Sequence, residues 1–185
     1  ITIGHAFGGD FECTNIYTGL ISAKEILQGD ITIITMGPGI VGTGTKYGFS
    51  GIEQGQIIDA VNTLGGNPIV VPRISFNDSR KRHIGISHHT RTILSEIAKT
   101  SGKVILPILD EYKLNILEEQ INEFKIDEKH DVFFEKGENI INAMDFFGIN
   151  TKTMGRGYKE DKDFFLTLGA VGTYVIKGLD RGGIF

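Results

Sequence analysis

The chain has 185 residues, 40% of them hydrophobic, and a formal charge of −4 from 19 basic and 23 acidic side chains. A chain of this size buries about two-thirds of the surface its unfolded form exposes, so one self-sufficient α/β domain over residues 1–185 is expected. The negative balance argues against general attraction to nucleic acid or to an anionic membrane, so any anion binding has to be local.

Cys13 is the only cysteine, which excludes an intrachain disulfide and a thiolate zinc site and points to a reducing, cytoplasmic setting. No apolar run approaches the ~20 residues needed to cross a bilayer. The chain opens without Met, directly in an apolar run, so it is expected to be the C-terminal part of a longer protein whose N-terminal region is a partner.

Residues 1–3 (ITI) predict a first strand. It leads into GHAFGGDFE, where His5, Asp10, Glu12 and three glycines follow one another. A helix is expected over 13–28, with Asp10 a candidate cap and Cys13 a small buried helix residue. ITIITM at 31–36 predicts a second strand, and the glycine loop GPGIVGTGTKYGFSG leaves it. In that loop Gly37, Gly39, Gly42 and Gly44 free the backbone to aim N–H groups at an anion, and Thr43 and Thr45 add hydroxyl donors.

GPGIVG formally matches the dinucleotide fingerprint, yet Gly44, Gly48 and Gly51 delay the next helix to 51–64. Arg73 also stands where an NAD site usually has an acidic residue. A phosphate or carboxylate cradle of another design therefore ranks above a dinucleotide site, and a long loop closing the sheet edge is the plain alternative.

PIVVP at 68–72 predicts the third strand and opens into RISFNDSRKRHIGISHHT. Segment 73–91 carries Arg73, Arg80, Lys81, Arg82 and Arg91 against Asp78 alone. Arg73, Arg80 and Arg82 offer planar forks suited to phosphate or carboxylate, and His83, His88 and His89 titrate near neutral pH. Ser87 is a candidate N-cap for a helix over 87–100, which would turn the N–H groups of His88, His89 and Thr90 toward an anion. Surface ion pairing of the arginines and simple capping by Ser87 are the bland alternatives.

Further strands are expected at 103–109, 131–135 and 150–154, and helices at 110–124, 138–147 and 160–178. In the first of these helices Leu114, Leu117, Ile121 and Phe124 form one apolar face. Segment 110–138 holds ten acidic residues against four lysines and reads as solvated surface. TMGPG (35–39) and TMGRG (153–157) both follow strand-like runs and are similar glycine corners able to serve one ligand. The alternation predicts an open, mainly parallel α/β sheet with helices on both faces, Rossmann-like and three-layered. Loops leaving the strands' carboxyl ends then share one rim.

On that rim, His5 is the candidate for proton transfer and Asp10 for orienting it or a substrate hydroxyl. A metal held by His5, Asp10 and one of His83, His88 or His89 ranks lower, because no H-E-x-x-H or cysteine spacing supports it.

GHAFGGDFECTNIYTGL, MGPGIVGTGT, GFSGIEQG, RISFNDSRKRHIGISHHT and TMGR together resemble an uncharacterised bacterial family, a domain of unknown function. The resemblance implies a parent roughly twice this length, of which this chain is similar to the C-terminal half. It implies no activity. The expectation is an enzyme acting on a small anionic substrate, phosphorylated or carboxylated. The alternative is a non-catalytic regulatory module that binds an anion or a phosphate-containing nucleotide.

Overall fold

The computed structural model describes residues 1–37 and 39–180; Pro38 and residues 181–185 lie outside the described residues. The fold is mixed α/β, with six α-helices and small parallel and antiparallel sheets among the described residues. None of these helices is long and apolar enough to cross a membrane.

At the N-terminus β1 (Thr2–Ile3) pairs in parallel with β2 (Glu12–Cys13), in register Thr2 with Glu12 and Ile3 with Cys13. Helix α1 (Ile16–Ile21) begins at Asn15, not Asp10. The Asn15 side chain accepts from Thr18 N at 3.1 Å while Thr18 Oγ1 accepts from Asn15 N, a reciprocal cap. The helix ends in a π-helical turn, Ser22–Ile26. Residues 31–36, expected as a strand, pair with nothing among the described residues, and Ile33 is 84% exposed. Their β-branched side chains favour extended backbone, but a strand also needs a ladder partner.

Next come a 3₁₀ turn (Ser50–Ile52) and α2 (Glu53–Thr63), which packs on α1. Three parallel strands, β3 (Ile69–Val70), β6 (Lys103–Pro107) and β7 (Asp131–Glu135), form one sheet in the order β3-β6-β7. Between β3 and β6 in the chain, β4 (Ile74–Ser75) and β5 (Gly85–Ile86) form an antiparallel pair inside what the sequence presents as one basic loop. That hairpin is fastened to α4 (Glu111–Glu123). The Gln120 amide accepts from Ile86 N at 2.7 Å and donates to Ile84 O at 3.0 Å, filling the space beside Gly85, whose φ is +69°. Residues 150–154 contribute only the bridge between Thr153 and Arg156, a two-residue turn in which Met154 and Gly155 take positive φ.

The core lies where α2, α4 and the helix α3 (His88–Thr92), continued by a π-helical turn (Ile93–Ile97), meet β6. Ile58, Leu94, Leu117 and Ile121 pack with Ile74, Ile86, Val104 and Leu106. Ile105 alternates to the other face and is fully buried, and α6 (Lys162–Asp180) packs along β6 and β7. Helix α5 (Asn139–Phe146) packs on α6 and buries none of its residues fully.

The approach of α6 to the exit of β7 is backbone to backbone. A Cβ on Gly137 would lie 2.0 Å from Leu166 O, and one on Gly169 would lie 2.1 Å from Gly137 O. Gly169→Ala is therefore expected to destabilise by about 1–3 kcal/mol, read by urea unfolding, because rigid main chain has to shift. An unchanged midpoint would mean that α6 does not lie this close.

Candidate functional site

GHAFGGDFE folds as a turn pinned on Glu12. The carboxylate accepts from Thr2 Oγ1 and from Gly8 N, each at 2.7 Å, and these bonds hold it below the usual carboxylate range. Gly8, at φ +99°, makes the corner. His5 and Asp10 project from this turn, both exposed, with no hydrogen-bond or ion-pair partner among the described residues.

The glycine loop doubles back on itself through a bridge between Gly42 and Phe49. Its donors are partly used internally: Thr43 N donates to Gly48 O at 2.7 Å, Val41 N donates to Ser50 Oγ, and the Thr43 and Thr45 hydroxyls lie 3.0 Å apart. Gly37, Gly39, Gly42 and Gly44 are exposed. The loop's far end is anchored. Lys46 Nζ and Tyr47 OH both bind the Glu96 carboxylate, and the Phe49 ring stacks on His89 at 4.2 Å between centroids.

The densest polar assembly is built on the loop between β4 and β5. Asp78, whose side chain is 2% exposed, receives three guanidinium groups. Arg80 binds it through Nε and Nη2, both at 2.9 Å, Arg73 through Nη2 at 3.3 Å, and Arg156 approaches to 3.7 Å. Asp78 also accepts from Arg80 N at 3.0 Å, and its carboxyl is held far below the ordinary range, first of all by Arg80. Arg156 binds Asp161 as well, at 2.9 Å, and this fully buried carboxylate accepts from Ser75 Oγ at 2.8 Å. The Asn77 amide donates to Glu160 O. The 153–161 segment is thus locked onto the hairpin.

Beside the arginines lie three imidazoles. The His83 and His88 rings are 4.9 Å apart, His83 and His89 5.3 Å, and His88 and His89 4.1 Å. Burial, reinforced by neighbouring arginines, lowers all three below the usual histidine value, His83 and His89 to about 4. His83 Nε2 accepts from Arg82 Nε at 3.5 Å, which leaves the proton on Nδ1, 2.7 Å from Ser87 Oγ. Ser87 therefore spends its hydroxyl on His83, and α3 starts without a side-chain cap. Among the described residues, His88 Nε2, Arg73 Nη1 and Arg91 Nε are buried without a hydrogen-bond partner. No ion pair holds Arg82 or Arg91 among the described residues; Arg91 lies over the Phe124 ring at 4.6 Å and donates to Arg82 O.

The structure thus gathers Arg73, Arg80, Arg82 and His88 of the expected residues, together with His83, His89 and Arg91. It leaves His5 and Asp10 unbonded to them. Sequence reading passed over Asp78 as the hub and Arg156 and Asp161 as its second half. The arginine in TMGRG was the available signal. Among the described residues no group of three His, Cys, Asp or Glu side chains is arranged to hold a metal ion.

Residues 1–172 match the model of one protein family, described as "Protein of unknown function (DUF3866)". No curated protein and no solved structure matches the chain.

Two outcomes follow from this geometry. Asp78→Asn removes the shared counter-charge. It is expected to destabilise toward the lower end of about 3–5 kcal/mol, since Arg80, 42% exposed, can rehydrate. Denaturant titration checks it. Separately, His83 and His89 are neutral in the folded chain at pH values where unfolded histidine is charged. Their contribution is complete above about pH 6.5 and is lost progressively as pH falls toward about 4. Melting temperature should fall across that window, and the double change His83→Gln, His89→Gln should flatten the fall.

Proposed function

The chain belongs to the DUF3866 family of unknown function, and from the geometry above we propose that it binds a small anion, phosphorylated or carboxylated, at the arginine and histidine cluster around Asp78. One observation carries this reading. Among the described residues, three guanidinium groups share two carboxylates, Arg82 and Arg91 have none, and Arg73 Nη1, Arg91 Nε and His88 Nε2 are buried without hydrogen-bond partners. The two unpartnered guanidinium N–H groups cost free energy that an oxyanion with several lone pairs would recover.

Guanidinium forks match the planar or tetrahedral edges of carboxylate and phosphate, and the surrounding positive field disfavours a cation in the same space. A phosphate-containing nucleotide is one candidate ligand. Gly37, Gly39, Gly42, Thr43, Gly44 and Thr45 are the residues that would close over it from the glycine loop, which meets the cluster through Phe49 and His89.

A binding role has more support than catalysis by His5 and Asp10, because those two side chains share no hydrogen bond with the cluster. The catalytic form of the proposal requires their turn to reach the bound anion. A doubly wound, Rossmann-like sheet with helices on both faces is part of the same reading, supported by the alternate burial of Val104, Ile105 and Leu106 on β6. So is a cytoplasmic setting, supported by the free thiol of Cys13.

The test is a thermal-shift series with inorganic phosphate, pyrophosphate, nucleotides and dicarboxylates. A ligand at a hundred times its Kd should stabilise by about 2.7 kcal/mol. Arg82→Ala, on an exposed residue, should leave folding nearly intact and weaken the bound anion by about tenfold, the worth of one charge-assisted hydrogen bond. The absence of any shift, or a large loss of stability with unchanged binding, would overturn the proposal.

A further inference from the structure

We propose that anion binding at this site is proton-coupled: His88 is a neutral imidazole in the free protein and gains a proton when a tetrahedral oxyanion docks against Arg82, Arg91 and its buried Nε2. The inference rests on the binding reading above and names how that site is regulated.

The geometry singles out His88 among the three imidazoles. His83 is engaged at both nitrogens, by Ser87 Oγ and by Arg82 Nε. His89 is stacked flat on Phe49, with 16° between the ring planes. His88 alone has a ring nitrogen that is both buried and without a hydrogen-bond partner.

The charged groups acting on it are all arginines, Arg80, Arg82 and Arg91, and the imidazoles beside it are neutral. Arg80, Arg82 and His83 come from the loop between β4 and β5, and His89 and Arg91 come from α3. The glycine loop presents only the Phe49 ring, edge-on at 6.4 Å, and its Lys46 is tied to Glu96. The buried carboxylate of Asp78 is engaged by Arg73, Arg80 and Arg156. Burial first, and then Arg82, Arg91 and Arg80, make a charged ring unfavourable here until a dianion arrives, which is the direction in which the His88 titration is shifted. A bound sulfate or phosphate reverses the local field, so the ring is then favoured as imidazolium.

The balance is one proton. Bulk water or buffer supplies it, imidazole becomes imidazolium with N–H groups at both ring nitrogens, and one of them donates to an oxygen of the anion. No other bond forms or breaks.

Sulfate is the probe, because it does not titrate near neutral pH, whereas phosphate does. Calorimetric titration of the protein with sulfate, in two buffers of different ionisation enthalpy, counts the protons taken up. Net uptake approaching one per sulfate is expected, with affinity rising up to about tenfold for each unit fall in pH from about 7.5 to 6. His88→Gln should weaken sulfate and remove the pH slope, with circular dichroism confirming its fold. Should that variant not fold, the two-buffer count on the unaltered protein decides alone.

Sulfate binding with no proton uptake overturns this inference and leaves the anion site standing. A folded His88→Gln protein that keeps the full pH slope overturns the assignment to His88. No binding of sulfate overturns this inference, and no binding of sulfate, phosphates, nucleotides or dicarboxylates overturns both readings.

Discussion

The architecture of the site depends on one buried carboxylate, Asp78. A charge at 2% exposure is tolerable only when paired and hydrogen-bonded, and Asp78 meets that demand with side chains from three places in the chain. Arg73 stands at the exit of the third-strand segment, Arg80 two residues beyond Asp78 in the loop between β4 and β5, and Arg156 in the turn that precedes α6. Satisfying Asp78 therefore ties the hairpin β4–β5 to the start of the longest helix. Asp161 and Ser75 make the same tie a second time, since Ser75 lies on β4 and Asp161 immediately precedes α6. Polar groups here do the positioning that apolar packing does around Val104 and Leu106.

Such networks are seldom the most stable way to fill an interior, because desolvating the ions offsets most of their attraction. The arrangement at Asp78 is uneven as well. Arg80 meets the carboxylate through two nitrogens, whereas Arg73 contributes one and keeps another buried and unmatched. A scaffold built only for stability would gain by losing the surplus guanidinium groups. Their retention beside imidazoles held neutral is the physical case for a negatively charged guest, and the same field makes the spot inhospitable to a metal ion.

Helices were legible in the sequence. Each of the six expected helices has a counterpart, because an apolar face repeating every three or four residues over two or more turns admits few other readings, as at Leu114, Leu117, Ile121 and Phe124. The apolar runs at Ile69, Val104 and Val132 were equally plain as strands of one parallel sheet. ITIITM misled because β-branched composition says nothing of whether a neighbour exists to pair with. The hairpin β4–β5 was illegible for the opposite reason: two residues per strand, inside a basic segment, carry no period to detect. At the site, the contrast of five basic residues against one acid between 73 and 91 marked the cluster. Read as a lone acid in a basic run, Asp78 looks incidental. Arg73 and Arg80 are its local partners, but its tie to α6 comes from Arg156, 78 residues away, and no local pattern encodes a contact of that separation.

The glycine loop, equally conspicuous in sequence, is related to the cluster through its end and not through its glycines. Phe49 lies against His89, while Lys46 and Tyr47 grip Glu96, which sits in the π-helical turn closed by Ala98 N donating to Ile93 O at 2.9 Å. A π-helical turn is less favourable than an α-helical one and persists where something specific holds it. Here Gly55 of α2 presses against Ile97, with a built Cβ only 2.6 Å from its Cγ2, so the turn is wedged between α2 and the loop latch. His88 and His89 open the helix that this turn completes. A displacement of the loop would therefore act on the imidazoles along two routes, directly through the ring stack and indirectly through Glu96. The end of the glycine loop, from Lys46 to Phe49, thus holds the histidine face in place.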